Sequence, residues 1–269
     1  MSPAALVISA PGINCDLELA EAFRLAGAEP ERILLRTLID EPSLIARFDL
    51  IGLPGGFSYG DDVAAGRIMA QLIRRTIHPQ LVEAIERHVP VIAPCNGFQI
   101  AVQAGLLPGP ASGEPWPDEP ARPTVALADN ASARFVDRWV RVEIPASRCL
   151  WTSGLSTQQR TLLLPIAHGE GRFLCDDRTY AALEAAGQIA LRYAPDDDPN
   201  GSRGHVAGIC DSSGAVFGLM PHPERYLKWP QHPFWTRLGD DERSGEPLGL
   251  LMFRNAVRAA QRAATSASR

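Results

Sequence analysis

The chain has 269 residues, of which 45% are apolar, and a net charge of −5; it can bury a sizeable core and has no general attraction for nucleic acid or anionic membrane. No apolar run approaches the ~20 residues of a membrane helix, and the N-terminus lacks the basic start and long apolar core of a secretory signal, so a cytoplasmic protein is expected. Five cysteines (Cys15, Cys95, Cys149, Cys175 and Cys210) are odd in number and widely spaced without a CxxC pair, which argues against a disulfide framework or a zinc knuckle.

Leu6-Val7-Ile8-Ser9 predicts a first buried strand. Beyond Pro11-Gly12-Ile13-Asn14, apolar residues at Leu19, Ala22, Phe23 and Ala26 have helical spacing, and Gly27 fits a C-cap. Residues 33–35 predict a second strand and 49–53 a third, which runs into Pro54-Gly55-Gly56-Phe57-Ser58-Tyr59-Gly60-Asp61-Asp62. A long helical region follows to about His88, broken before Pro79. Residues 90–94 are then a short apolar strand, 95 a sharp turn, and 96–101 the start of a helix.

This alternation of apolar strands and helices predicts an α/β fold, a mostly parallel sheet with helices on both faces. Right-handed crossovers put the loops after Leu53 and Pro94 on the same carboxyl edge of the sheet. The second half changes character. Residues 108–123 are rich in proline, glycine and acidic side chains and predict an exposed loop. Residues 139–144 alternate like a half-exposed strand, and 162–164, 189–193, 206–209 and 215–219 predict further strands, the last two joined by a hairpin at Ser213-Gly214. A helix over 248–263 closes the chain; with no internal repeat or convincing linker, one domain over 1–269 is expected.

Chemistry concentrates at Cys95. It falls on the turn between strand and helix, with small residues two before (Ala93) and two after (Gly97), the pattern of a nucleophile elbow. A helix N-terminus and a nearby imidazole both favour the thiolate. Met220-Pro221-His222-Pro223-Glu224-Arg225 follows another apolar strand and offers that base, with a carboxylate to orient it as the third member of a triad. The amides of Asn96 and Gly56 are the candidates for an oxyanion hole. Taken singly, Cys95 could be packing, His222 a rigid turn between prolines and Gly55-Gly56 a tight turn; the joint pattern is much harder to reach by chance.

The elbow Cys95-Asn96-Gly97-Phe98-Gln99, with Gly55-Gly56 before it and His222-Pro223-Glu224 after it, resembles the class I (triad) glutamine amidotransferases. Longer motifs narrow the resemblance to the glutaminase subunits of phosphoribosylformylglycinamidine synthases: Pro11-Gly12-Ile13-Asn14-Cys15-Asp16, Gly55 to Asp62, Pro165-Ile166-Ala167-His168-Gly169-Glu170-Gly171 and Asp198-Pro199-Asn200-Gly201-Ser202. The resemblance runs from about residue 5 to 260. It implies glutamine hydrolysis through a glutamyl thioester on Cys95, with His222 protonating the departing ammonia, Gln99 and Gly56 helping to hold the glutamine, and ammonia passing to an ATP-dependent synthetase acting on formylglycinamide ribonucleotide, with a small bridging subunit. Where the family usually has glycine two before the cysteine and a small apolar residue just before it, this chain has Ala93 and Pro94.

Neither a P-loop nor a GxGxxG occurs, so ATP and magnesium are expected only on the synthetase partner, and no cofactor or metal in this chain. His168 and Glu170 read as an exposed loop pair at a partner surface rather than a metal site, and Asp196-Asp197-Asp198 as a solvated loop rather than a magnesium site. Arg67, Phe57 and Tyr59 are equally suited to partner contact or to burial, and Trp229 and Trp235 to pinning the C-terminal loop. Two rivals stay open: a glutaminase serving another synthetase or none, and a non-catalytic redox sensor using Cys95 on the same fold.

Overall fold

The computed structural model describes residues 2–155, 162–241 and 243–267. Its first half alternates strand and helix as the apolar runs require: β1 (Ala4–Ser9), α1 (Asp16–Ala26), β2 (Glu29–Leu34), α2 (Leu35–Asp40), β3 (Leu50–Gly52), α3 (Arg67–Thr76), α4 (His78–Glu86), β4 (Val91–Pro94) and α5 (Asn96–Ala104). The predicted helical region is thus two helices, parted at Ile77 with Pro79 in the first turn of the second. β2 ends one residue earlier than expected, because Leu35 already opens a helix.

The second half adds β5 (Val125–Asp129), β6 (Val136–Glu143), β7 (Leu162–His168), β8 (Glu170–Cys175), α6 (Asp177–Ala185), β9 (Ile189–Tyr193), β10 (Val206–Cys210), β11 (Val216–Leu219) and α7 (Leu248–Ala267). Nine strands form one sheet in the order β2-β1-β3-β4-β11-β10-β9-β6-β7, while β5 and β8 pair apart from it. From β2 to β11 every neighbouring pair is parallel; from β11 to β7 every pair is antiparallel. β10 and β11 are joined through the expected turn at Ser213-Gly214.

One face of the sheet packs against α2 to α5, through side chains such as Leu38, Ile73, Leu81 and Phe98. The other packs against α1 and α7, where Phe23, Trp151 and Phe253 meet edge to face with ring centroids 5.3–6.5 Å apart. Both faces being covered explains the unbroken burial of β3, β4 and β11 and of the four central residues of β1. No helix among the described residues is long and apolar enough to cross a membrane.

Other expectations fall out variously. The 108–123 segment is mostly exposed, and Arg74 ties it to α3 by donating to the carbonyls of Pro120 (2.7 Å) and Ala121 (2.9 Å). Trp229 does pin the segment before α7, its indole N–H donating to the Gly245 carbonyl at 3.0 Å, whereas Trp235 is exposed. Asp196 and Asp197 pair with Arg141 and Arg138, and Asp198 accepts from the amides of Asn200 and Gly201.

Candidate functional site

β4 carries the elbow to the carboxyl edge of the sheet. Ala93 and Pro94 stand beside Gly218 and Leu219 of β11, and the Cys95 amide donates to the Leu219 carbonyl at 2.7 Å. Pro94 is therefore tolerated at the last residue of the strand, where the donor it lacks is supplied one position later. Cys95 itself is at φ 51°, ψ −111°, a conformation that costs a residue with a side chain on the order of 1–3 kcal/mol. The carbonyl of Cys95 accepts from the amides of Phe98 and Gln99, which locks the turn onto α5. Gly97 is required: a Cβ there would overlap the carbonyl of Leu53.

His222 and Glu224 follow β11 directly, so the neighbouring parallel strand delivers them beside the elbow. His222 Nδ1 lies 2.7 Å from Glu224 Oε1, with both side chains almost wholly buried. Burial opposes a charge on the imidazole, but Glu224 and the nearby thiols of Cys95 and Cys15 outweigh it and hold its pKa well above the ordinary histidine range. A side chain at Gly55 would sit 2.9 Å from His222 Cε1, 3.3 Å from Cys15 Sγ and 3.4 Å from Cys95 Cβ, so the missing Cβ is what lets the three groups converge.

Cys15 belongs to this cluster as well. Its sulfur accepts from Arg225 Nη2 at 3.1 Å, and Arg225 is also paired with Glu18. Burial pushes the Cys15 thiol pKa up, against the opposing pull of His222 and Arg225. Ligand atoms of Cys15, His222 and Glu224 lie within 4.8 Å of one another, the one group among the described residues close enough to hold a metal ion; its atoms are already engaged with Arg225 and with each other.

In front of Cys95 opens a cavity of about 460 Å³. Gly56, Cys95 and Gln99 line it, while Asn96, His222 and Glu224 stand outside its lining. Gln99 is buried; its amide N–H donates to the Glu170 carbonyl, and its Oε1 accepts from Asn96 Nδ2 at 2.9 Å. Asn96 Nδ2 also reaches Asp61 Oδ1 at 3.2 Å, and its Oδ1 accepts from the Ser58 amide at 3.1 Å. The Gly-Gly loop, the elbow helix and β8 are thereby fastened together around the cavity.

The structure corrects the reading of His168 and Glu170. His168 ends β7 and is 3% exposed, and Glu170 opens β8, half-buried in the cavity wall. Asn130 Nδ2 donates to the carbonyls of Arg134 (2.8 Å) and His168 (2.9 Å), so its Oδ1 faces His168 Nδ1 at 3.0 Å and that nitrogen carries the proton. Burial, and then the charge of His222, lowers the His168 pKa to about 4. Its Nε2 is buried without a partner. The cavity wall also holds Asp61, Asp129 at the end of β5, and Arg134, which the sequence did not single out, and exposed Phe57 and Phe135, whose rings are 6.3 Å apart. Tyr59 packs on the core and Arg67 is exposed, so of the three side chains suited to partner contact, Phe57 and Arg67 are outward.

Residues 2–258 match the model of the CobB/CobQ-like glutamine amidotransferase domain. The phosphoribosylformylglycinamidine synthase subunit PurQ of Dehalococcoides mccartyi is 38% identical over 259 residues, covering 94% of this chain and 96% of that protein. The chain belongs to this family of glutamine amidotransferases. The PurQ subunit of Methanococcus maripaludis strain S2 is 36% identical over 272 residues, with 95% and 96% covered. Among solved structures, a chain of PurLQS from Thermotoga maritima superposes with a TM-score of 0.72 at 32% identity, over 96% of this chain and 99% of that one. As a family member the chain has the expected α/β architecture, with the antiparallel strands of its second half as additions to the parallel sheet.

Proposed function

We propose that this chain is the glutaminase subunit of a cytoplasmic phosphoribosylformylglycinamidine synthase, with Cys95, His222 and Glu224 as its catalytic triad. The observation that carries the assignment is the buried 2.7 Å His222–Glu224 pair beside a strained cysteine that lines the cavity. The raised imidazole pKa makes His222 a ready acceptor for the proton that the reaction takes from Cys95 and later passes to the leaving nitrogen.

The Cys95 thiolate attacks the side-chain amide carbon of L-glutamine, and the resulting oxyanion is held by the amides of Gly56 and Asn96. One such donor contributes about 2.7–4 kcal/mol to lowering the barrier. His222 gives its proton to the amide nitrogen, ammonia leaves, and a glutamyl thioester remains. Water, deprotonated by His222, then attacks the thioester; the carbon–sulfur bond breaks, glutamate leaves, and the Cys95 thiolate and protonated His222 are restored. Glu224 keeps Nδ1 protonated and stabilises the imidazolium, and Gln99 holds the glutamine.

The ammonia passes to an ATP-dependent synthetase, which converts formylglycinamide ribonucleotide to its amidine; ATP and magnesium belong to that partner, and a small bridging subunit completes the complex. Similarity to the PurQ subunits and to the PurLQS chain of Thermotoga maritima supports this assignment of partners. The test is glutamate release from L-glutamine by this chain mixed with its host's synthetase components, with and without ATP plus formylglycinamide ribonucleotide. Release that requires the complete mixture and vanishes in Cys95→Ala is the expected result. Release indifferent to ribonucleotide and ATP would redirect the chain to another acceptor, and no release under any condition would favour the redox thiol.

A further inference from the structure

Arg225 follows Glu224 directly in the one-turn helix Pro223–Arg225, and the Glu224 side chain is wholly buried. A guanidinium is the natural partner of a buried carboxylate, because its fork matches both oxygens and neutralises the charge. The chain does not use it so. Glu224 Oε1 faces His222 Nδ1 at 2.7 Å, while Oε2 is buried without a hydrogen-bond partner among the described residues. A bare buried acceptor is unfavourable, and most of all a charged one. Yet a cation stands one residue away, close enough to interact with Glu224 electrostatically.

Two residues at the start of α1 hold that cation elsewhere. Arg225 Nε pairs with Glu18 Oε2 at 3.1 Å, and Nη2 donates to Cys15 Sγ at 3.1 Å. Cys15 is itself fixed: its amide donates to the Gly55 carbonyl at 3.3 Å and its thiol to Asn14 Oδ1 at 3.3 Å, so its sulfur meets Arg225 as an acceptor. The same sulfur lies within 4.8 Å of ligand atoms of His222 and Glu224. One atom thus touches the guanidinium and stands close to the carboxylate from which the guanidinium is withheld.

The separation protects the charge on Glu224. Burial disfavours an imidazolium at His222, and Glu224 is the strongest of the groups that offset it, ahead of Cys95 and Cys15. A guanidinium on Oε2 would neutralise the carboxylate and take from His222 its main support. We infer that Glu18 and Cys15 are positioning residues of the glutaminase reaction: they hold Arg225 away from Glu224, so that the whole charge of this carboxylate serves His222. This rests on the triad reading above and adds the residues that keep the third member of the triad free.

The test is a suppression experiment on the full chain in its synthetase mixture. It is read by steady-state kinetics with L-glutamine and by the rate at which iodoacetamide alkylates Cys95, followed on the Cys95 peptide by mass spectrometry. Cys15→Ala and Glu18→Gln together release the guanidinium; kcat should fall about 30-fold and Cys95 alkylation about 10-fold, with KM within about 2-fold of wild type. Cys15→Ser, whose hydroxyl still accepts from Arg225, should stay within about 3-fold of wild type in kcat. The deciding variant adds Arg225→Gln to the double change: with no cation left to neutralise Glu224, kcat and alkylation should return to within about 5-fold of wild type. Should the Cys15→Ala variants fail to fold, part-exposed Glu18→Gln alone should lose about 3-fold in kcat, again restored by Arg225→Gln. A loss that Arg225→Gln does not suppress would mean that Cys15 and Glu18 serve the fold or act on His222 directly, and would overturn the inference, as would wild-type kinetics in the double variant. Wild-type protein that releases no glutamate would refute the glutaminase reading instead, and Cys95 alkylation would still report whether Arg225 is kept from Glu224.

Discussion

The parallel half of the sheet and its antiparallel extension contribute to the site in different ways. From β3, β4 and β11 of the parallel half come backbone turns: the Gly55-Gly56 loop, the Cys95 elbow and the segment holding His222 and Glu224, fixed by main-chain bonds between adjacent strands. From the extension and the β5–β8 pair come side chains on a wall: Asp129, His168 and Glu170, with Arg134 in the connecting loop. On the proposed reading, bond breaking belongs to the first region, while the second supplies most of the charged wall of the cavity, with Asp61 of the first region beside it. Ala167 crosses this division at the sulfur, its carbonyl accepting from Cys95 Sγ at 3.6 Å. On that reading the chemistry that demands fixed geometry sits on main chain held between adjacent strands, and the wall sits on side chains that can change without moving the nucleophile.

The largest effects should break the parallel half. Cys95→Ala is expected to reduce glutamate release by at least ~10⁴-fold while leaving the thermal unfolding midpoint unchanged or higher, because the substitution removes the nucleophile. Retained turnover in that variant would place the chemistry elsewhere. Gly97→Ala tests the support rather than the group. Its Cβ has no room against the Leu53 carbonyl, so the start of α5 must shift, costing about 1–3 kcal/mol of stability. Turnover should fall by about 100-fold or more as Cys95 moves from its aligned position; chemical denaturation and steady-state rates read the two effects separately.

A smaller effect compares the halves directly. His78, at the start of α4, and His168, at the end of β7, are both buried and both held at a pKa of about 4, each chiefly by burial. In the unfolded chain each returns to about 6.5. Between those values the unfolded state binds protons that the folded state refuses, so stability falls as pH drops from about 6.5 to 4 and does not depend on these groups above that window. Each histidine accounts for up to about 3 kcal/mol of this loss. His222 has the opposite sign: its raised pKa gives stability that is full below the unfolded value and is lost as pH rises through the folded one. Urea unfolding at pH 7 and pH 5 should show the acid slope halved in His78→Leu and again reduced when His168→Asn is added. An unchanged slope in both variants would mean that the two imidazoles are charged in the folded protein.

What could be read from the chain follows the same boundary. Ala93, Cys95 and Gly97 announce a tight turn, and His222-Pro223-Glu224 a short, stiff one, because local backbone demands are written in small residues and prolines at fixed spacing. The wall is written across distance: the β5–β8 pairing sets Asp129 beside Glu170, Asp61 is tied in through Asn96, and residues 125–129 have no clean alternation to betray a strand. His168 misled by its polarity. A usable signal was present, since Leu162, Leu164 and Ile166 occupy the buried positions of β7 and the same alternation continued two residues buries His168. Cys15 left less to see, because its role depends on Arg225, more than two hundred residues away.

The smallest expected effect asks whether the extension can be loosened without touching the chemistry. Ser202, in the Asp198-Pro199-Asn200-Gly201-Ser202 motif, is buried; its Oγ donates to Asn200 Oδ1 at 2.7 Å and accepts from the Phe173 amide of β8 at 3.0 Å. Asn200 Nδ2 in turn donates to the Gly171 carbonyl at 2.8 Å, so the motif clamps β8 just beyond Glu170. Ser202→Ala leaves the Phe173 N–H without its acceptor in a buried place, which costs about 1–3 kcal/mol. Asn200 Oδ1 keeps the Ser202 amide as a donor at 3.0 Å, so the clamp weakens without opening. The expected outcome is a lower unfolding midpoint and a KM for L-glutamine raised about 2- to 5-fold, with kcat unchanged. A fall in kcat with KM preserved would mean that the extension helps align the nucleophile, and the division of labour between the halves would have to be redrawn through the contact between Ala167 and Cys95.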